Sequence, residues 1–278
     1  MRDSSLLFLG VEHPDVRELV DRLRAEGFWT LSHTPGEITP DVEAAILEFQ
    51  RTHLGPDGRF LQADGVVGAA TRWALSHASG EGQRSHVDAS IPAGLGPQRQ
   101  RVLEVALQEH ARGVAEVPSG SNRGPELDKY LPQWAKTQPG PAWCCFFYSW
   151  VVRSALDAWP LGAQLGSCRN ARQRAGALGL YTPKGTRAER PIPGDAFLMD
   201  RGGGHGHIGF VLRVSDDRTT INTVEGNCGN RVKVGLRELS DPELVGFIDN
   251  VPSEATEGWE LGVLSARRVG GARPDSTR

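Results

Sequence analysis

Apolar residues recur every three to four positions through the first two thirds of the chain and every second position in much of the remainder. From Pro14, the apolar residues Val16, Leu19, Val20 and Leu23 fall at helical spacing, and Gly27 stands where a left-handed cap would end that helix. Thr39-Pro40, an N-cap followed by proline at the first helical position, predicts a second helix carrying Ala45, Ile46 and Phe49. Asp64-Gly65 reads as a turn leading into a short third helix that ends near Leu75. From Gly96 to Val114, Leu103, Ala106, Leu107 and Val114 form one face of a helix, with Arg99, Arg101, Glu104 and Gln108 opposite. A run opening at Cys144 has Phe147 and Val151 at i+3 and i+7, which predicts a buried helix; a weaker helical stretch spans Asn170 to Ala177. Period two then predicts strands at 195–199, 207–214, 220–225, 232–236 and 245–249.

This order implies a multi-domain chain: a small all-α three-helix bundle at 10–78, then an α+β domain at 97–251 with helices on one side of an antiparallel sheet. Residues 79–96 are polar, rich in Gly, Ser and Ala and without period, so they are expected to form a flexible linker that leaves the two modules independent. Residues 252–278 have little period and are expected to be an extended or disordered tail.

Composition narrows the function. The chain has 278 residues, enough for two cores, and a net charge of −3, so it carries no basic footprint for nucleic acid or an anionic membrane. Four cysteines, none in a Cys-x-x-Cys spacing, are too few for a disulfide scaffold. No apolar run reaches 18 residues, so no membrane span is expected. The start has an acidic residue and only four consecutive apolar ones, Leu6 to Leu9, too short for a secretory signal. Synthesis in the cytoplasm and a monomeric state are the expectations.

The candidate chemistry centres on Cys144. A Pro/Gly-rich approach, Gln138 to Pro141, ends at the helix that this cysteine opens. A cysteine in a first helical turn faces unpaired N–H groups and the positive end of the dipole, which favours the thiolate. The competing reading is a small core cysteine. Downstream, a hairpin whose loop centres on Asp216 would set His207 directly across from Glu225, with Cβ atoms roughly 5 Å apart, and Asn227 on the same face. Cys144 as nucleophile, His207 as acid and base and Glu225 as its anchor make a triad. A surface histidine, or a His205/His207 metal pair, is the alternative. Zinc would need third and fourth ligands that do not stand at usual spacing, so neither metal nor cofactor is expected.

Two resemblances give these patterns a context. Glu48-Phe49-Gln50 followed by Asp64-Gly65-x-x-Gly68-x-x-Thr71 resembles the three-helix peptidoglycan-binding domain over residues 12 to 78, which implies attachment to peptidoglycan. Pro193-Gly194-Asp195, Gly206-His207-Ile208-Gly209-Phe210-Val211 and Val224-Glu225-Gly226-Asn227 resemble the CHAP domain (cysteine, histidine-dependent amidohydrolase/peptidase), a papain-like fold, over about 97 to 250. Asn122-Arg123-Gly124-Pro125 and Trp143-Cys144 are similar to a bacterial subgroup of that family, in which alanine usually stands where this chain has Cys145. The resemblance implies Cys144, His207, Glu225 and Asn227 as the catalytic set. It also implies a peptidoglycan hydrolase cutting either the N-acetylmuramoyl–L-alanine bond or an amide of the stem or cross-link. Acting on the wall after release or export, as a phage or prophage lysin does, would reconcile that substrate with the missing signal. A non-catalytic wall-binding protein, and a toxin or transferase using the same triad, stay open as alternatives.

Overall fold

The computed structural model describes residues 5–28, 34–78, 89–136, 140–187 and 190–252. The linker expectation falls largely, and the tail expectation almost wholly, outside these residues.

Three helices form the first module: α1 (Asp15–Ala25), α2 (Pro40–Thr52) and α3 (Ala69–His77). Their periodic residues Val16, Leu19, Leu23, Ile46, Phe49 and Leu75 meet in one core. Thr39 caps α2, its hydroxyl accepting from the Val42 N–H at 3.4 Å. Gly27 takes φ +84°, and the Phe28 N–H closes α1 onto the Leu23 carbonyl at 2.7 Å. Gln50 explains the spacing of the motif after α2. Its amide donates to Asp64 Oδ1, to the Val66 carbonyl and to Thr71 Oγ1, and its carbonyl accepts from the Gly65 N–H. Those motif residues hold the bundle together.

The second module comprises α4 (Pro97–Ala111), α5 (Cys144–Leu156), α6 (Cys168–Ala177) and six strands. The strands are β1 (Tyr181–Pro183), β2 (Ala196–Asp200), β3 (Gly206–Val214), β4 (Thr220–Cys228), β5 (Arg231–Glu238) and β6 (Leu244–Ile248). They build one antiparallel sheet in the order β1-β6-β2-β3-β4-β5. Leu198, Ile208, Phe210 and Val224 turn to one face and pack against α4 and α5, where Phe147 and Val151 are fully buried. Each such side chain contributes about 1.5–3 kcal/mol relative to exposure. Alternate residues, among them Phe197, Met199, Val211 and Phe247, form a smaller cluster on the opposite face.

Four expectations are corrected. The sheet has a sixth strand, β1, beyond the five expected, because three residues are too few to show a period. Arg99 is not on a solvated face: it is buried, with its guanidinium on Asp195 at 2.9 Å and Asp249 at 2.5 Å. The β3–β4 hairpin pairs Phe210 with Val224 and Val211 with Thr223, so Glu225 falls across from Gly209 and not from His207. The turn lies further along than Asp216, with Ser215 N–H bonded to the Thr220 carbonyl and Arg218 at φ +54°. Finally, the modules touch. Helix α2 packs on β5, Arg51 pairs with Glu243 at 2.6 Å, and a Cβ on Gly27 would meet the Gly229 carbonyl oxygen at 2.1 Å.

Candidate active site

Helix α5 begins at Cys144 because the chain before it is proline- and glycine-rich and Trp143 takes a non-helical conformation, φ −109° and ψ +7°. Trp143 is fully buried, and its indole N–H donates to Glu116 Oε1 at 2.9 Å. Glu116 Oε2 accepts from the Asn122 N–H at 3.0 Å, so this one carboxylate ties the Asn122 loop to the start of α5. Burial pushes the Glu116 carboxyl up, against the hydrogen bond from Trp143. Sequence reasoning passed over Glu116, which belongs to no motif.

Strand β3 delivers His207 after a tight turn, in which Gly202, Gly203 and Gly204 all have positive φ and the Arg201 N–H bonds the His205 carbonyl at 3.0 Å. A β-carbon is costly in that conformation, which is why three successive glycines stand there. Strand β4 supplies Glu225. A two-residue shift from the expected register keeps Glu225 on the face of His207, because side chains alternate with period two. The diagonal offset is spanned because Gly209 lies between them: a Cβ there would stand 2.8 Å from Glu225 Cγ.

His207 Nε2 donates to Glu225 Oε2 at 2.7 Å. The Cys144 thiol lies close enough to His207 that the imidazole pulls the thiol down and the thiol pulls the imidazole up. Both side chains are buried, at 5 % exposure for Cys144 and 4 % for His207. Burial opposes charge on the imidazole, but the hydrogen bonds to Cys144 and Glu225 outweigh it and hold His207 above its ordinary value. Burial pushes the Glu225 carboxyl up, yet the Arg237 guanidinium beside it and the bond from His207 hold it well below the carboxylate range. Thr223 Oγ1 also donates to Glu225 Oε1.

The sequence-predicted residues separate into two groups. Cys144, His207 and Glu225 lie together, whereas Asn227, at φ +59° within the register shift between Glu225 and Cys228, donates from its amide to Asn122 Oδ1 at 3.3 Å. Cys145 is buried in the helix-facing core. The thiol itself departs from expectation: a hydrogen bond with Cys168, whose Sγ lies 4.0 Å away, and then burial push Cys144 up, against the lowering pull of His207. Cys168, the first residue of α6, also lines a cavity of about 510 Å³ with Arg169, Arg172, Tyr181, Met199 and Gly206. Among the described residues, no group of three or more His, Cys, Asp or Glu side chains is placed to hold a metal ion. Nor is any of their helices long and apolar enough to cross a membrane.

Comparison with known proteins identifies a family for each module. The family model of the CHAP domain matches residues 136–227, and that of the peptidoglycan binding domain matches residues 12–75. No curated protein and no solved structure matches the chain. A CHAP domain marks a peptidoglycan amidase or peptidase, generally cysteine-dependent. The chain carries a peptidoglycan binding domain followed by a CHAP domain, and together they support a peptidoglycan hydrolase at the family level.

Proposed function

We propose that the chain cleaves an amide bond of peptidoglycan, the N-acetylmuramoyl–L-alanine bond or one within the stem or cross-link, by a thiol mechanism. Cys144 is the nucleophile, His207 the base and acid, and Glu225 the group that orients and charges the imidazole. The observation that carries this reading is the His207–Glu225 hydrogen bond at 2.7 Å beside a cysteine that opens a helix and whose thiol the imidazole pulls down. Cys144 attacks the scissile carbonyl as His207 Nδ1 takes its proton, and the imidazolium is held by the Glu225 carboxylate. Backbone N–H groups in the first turn of α5, which have no intrahelical partner, face the developing oxyanion. His207 then protonates the leaving amine, and water, deprotonated by the same imidazole, hydrolyses the thioester and restores the thiol. Asn227, bonded to Asn122, serves the substrate side, since Glu225 already occupies the orienting nitrogen of His207. The first module holds the enzyme on the wall, and the enzyme acts there after release or export.

Digesting purified sacculi and identifying the fragments by mass spectrometry tests this and names the bond. Cys144→Ala is expected to abolish fragment release and Cys145→Ala to leave most of it. Glu225→Gln should lower kcat by ~10²–10⁴-fold, the scale of altered triad carboxylates. An active Cys144→Ala protein would refute the reading.

A further inference from the structure

Glu225 is anchored by more than His207. Arg237 on β5 grips both of its oxygens, Nε to Oε1 at 2.8 Å and Nη2 to Oε2 at 2.6 Å. The two side chains are 2 % and 1 % exposed. A guanidinium in this position has two consequences. It fixes the carboxylate in one orientation, and it cancels the negative charge that the imidazolium of His207 would otherwise feel. A second anion beside Arg237 would keep the geometry while returning the charge.

That anion comes from the other module. Glu48 of α2 places Oε1 3.4 Å from Arg237 Nη2, and its Oε2 accepts from Arg201 Nη2 at 2.6 Å. Arg201 opens the glycine turn that delivers His207. One carboxylate of the first module therefore touches the support of Glu225 and the support of His207. Glu48 lies in the matched peptidoglycan binding domain, and Arg237 lies beyond the residues matched to the CHAP domain. Within the bundle, neighbouring Phe49 and Gln50 face the module's own core and loops, whereas Glu48 turns outward to the sheet.

We propose that Glu48 is a positioning residue for the catalytic module: by holding Arg237 and Arg201 it completes the charge and geometry around Glu225 and His207, so that the first module is part of the catalytic apparatus as well as an anchor. This rests on the reading of Cys144, His207 and Glu225 as a triad. The groups that act on that triad or on its immediate neighbours are Cys168 from α6, Cys228 from β4, Arg237 from β5, Arg201 from the β2–β3 turn, and Glu48, with Lys233 of β5 acting on Cys228. Removing the Glu48 charge leaves Arg237 to neutralise Glu225 alone. The imidazolium then loses stabilisation, and His207 titrates at lower pH.

The test uses the full chain and soluble muropeptides released from sacculi by a muramidase, so that wall adhesion does not enter the rate. Glu48→Gln is compared with wild type and with Asp41→Asn, an exposed change on the same helix. In Glu48→Gln, kcat is expected to fall about tenfold with KM nearly constant, the scale of coupling between contacting groups. The histidine-controlled limb of kcat/KM should move to lower pH by about half a unit or more. Sedimentation with sacculi should show wall binding unchanged, and thermal melts should show a folded protein. If Glu48→Gln matches Asp41→Asn in kcat and in pH profile while Cys144→Ala is inactive, the inference is overturned and the triad stands. If Glu48→Gln changes only wall binding, Glu48 is a ligand contact and the inference is equally overturned. Activity in Cys144→Ala would remove both.

Discussion

At 4.0 Å from the Cys144 sulfur, Cys168 is the neighbour that most opposes ionisation of the candidate nucleophile. The hydrogen bond between the two sulfurs raises Cys144 first, and burial adds to it, so the helix-start position does not by itself yield a resting thiolate. Cys168→Ala removes the leading cause of a raised value. The half-point of Cys144 alkylation by iodoacetamide against pH, read by mass spectrometry of the labelled peptide, should therefore move to lower pH. An unchanged half-point would mean that burial alone holds the thiol up. Nothing in the spacing of Cys144 and Cys168, 24 residues apart with a helix and loop between them, signals their contact.

Among the elements, the β3–β4 hairpin shows most directly how a strand face makes the site. Its alternation was legible, and it put His207 and Glu225 on one face whichever even register holds. The loop was not, because Ser215-Asp216-Asp217-Arg218-Thr219 offers several polar turns of similar length, and only the left-handed Arg218 marks the one used. Gly209 resolves the resulting offset, since an added Cβ would meet Glu225 Cγ and Phe197 Cε1, both at 2.8 Å. Gly209→Ala is expected to displace Glu225 and cost about 1–3 kcal/mol of stability, the range for overpacking a tight core. Its kcat should fall along with the stability. Retained kcat with lowered Tm would show that the carboxylate can reach His207 by another path.

For the whole molecule, the decisive feature is that the modules share charged groups across their contact. Burial raises Glu48, but Arg201 and then Arg237 overcome it and hold the carboxyl below its ordinary 4.5. A depressed carboxyl contributes stability that is complete above its unfolded value and is lost as pH falls through the folded one. Glu243, which burial pushes up despite Arg51 and Arg201, has the opposite sign and offsets part of this. As pH falls below 4.5 and through the folded value of Glu48, the contact should loosen while each hydrophobic core persists. Small-angle scattering and circular dichroism over about pH 7 to 3 are expected to show expansion before helix and strand content falls. Simultaneous loss of both would make the chain one cooperative unit.

The amino-acid sequence by itself determined what depends on near neighbours: the helix starting at Thr39-Pro40, the turn at Asp64-Gly65, the period-two strands, the helix opening at Cys144, and the motifs of both families. These features follow from backbone preference and from which face of a short segment must leave water, and both can be read within about ten residues. Only the tertiary structure decided which groups meet over long separations. Arg237 on Glu225, Glu48 on Arg237, Cys168 on Cys144 and Glu116 under Trp143 and Asn122 are ordinary charged or small residues with no local pattern. Their partners lie on other elements, and a buried charge is specified by what surrounds it, which no periodicity along the chain encodes.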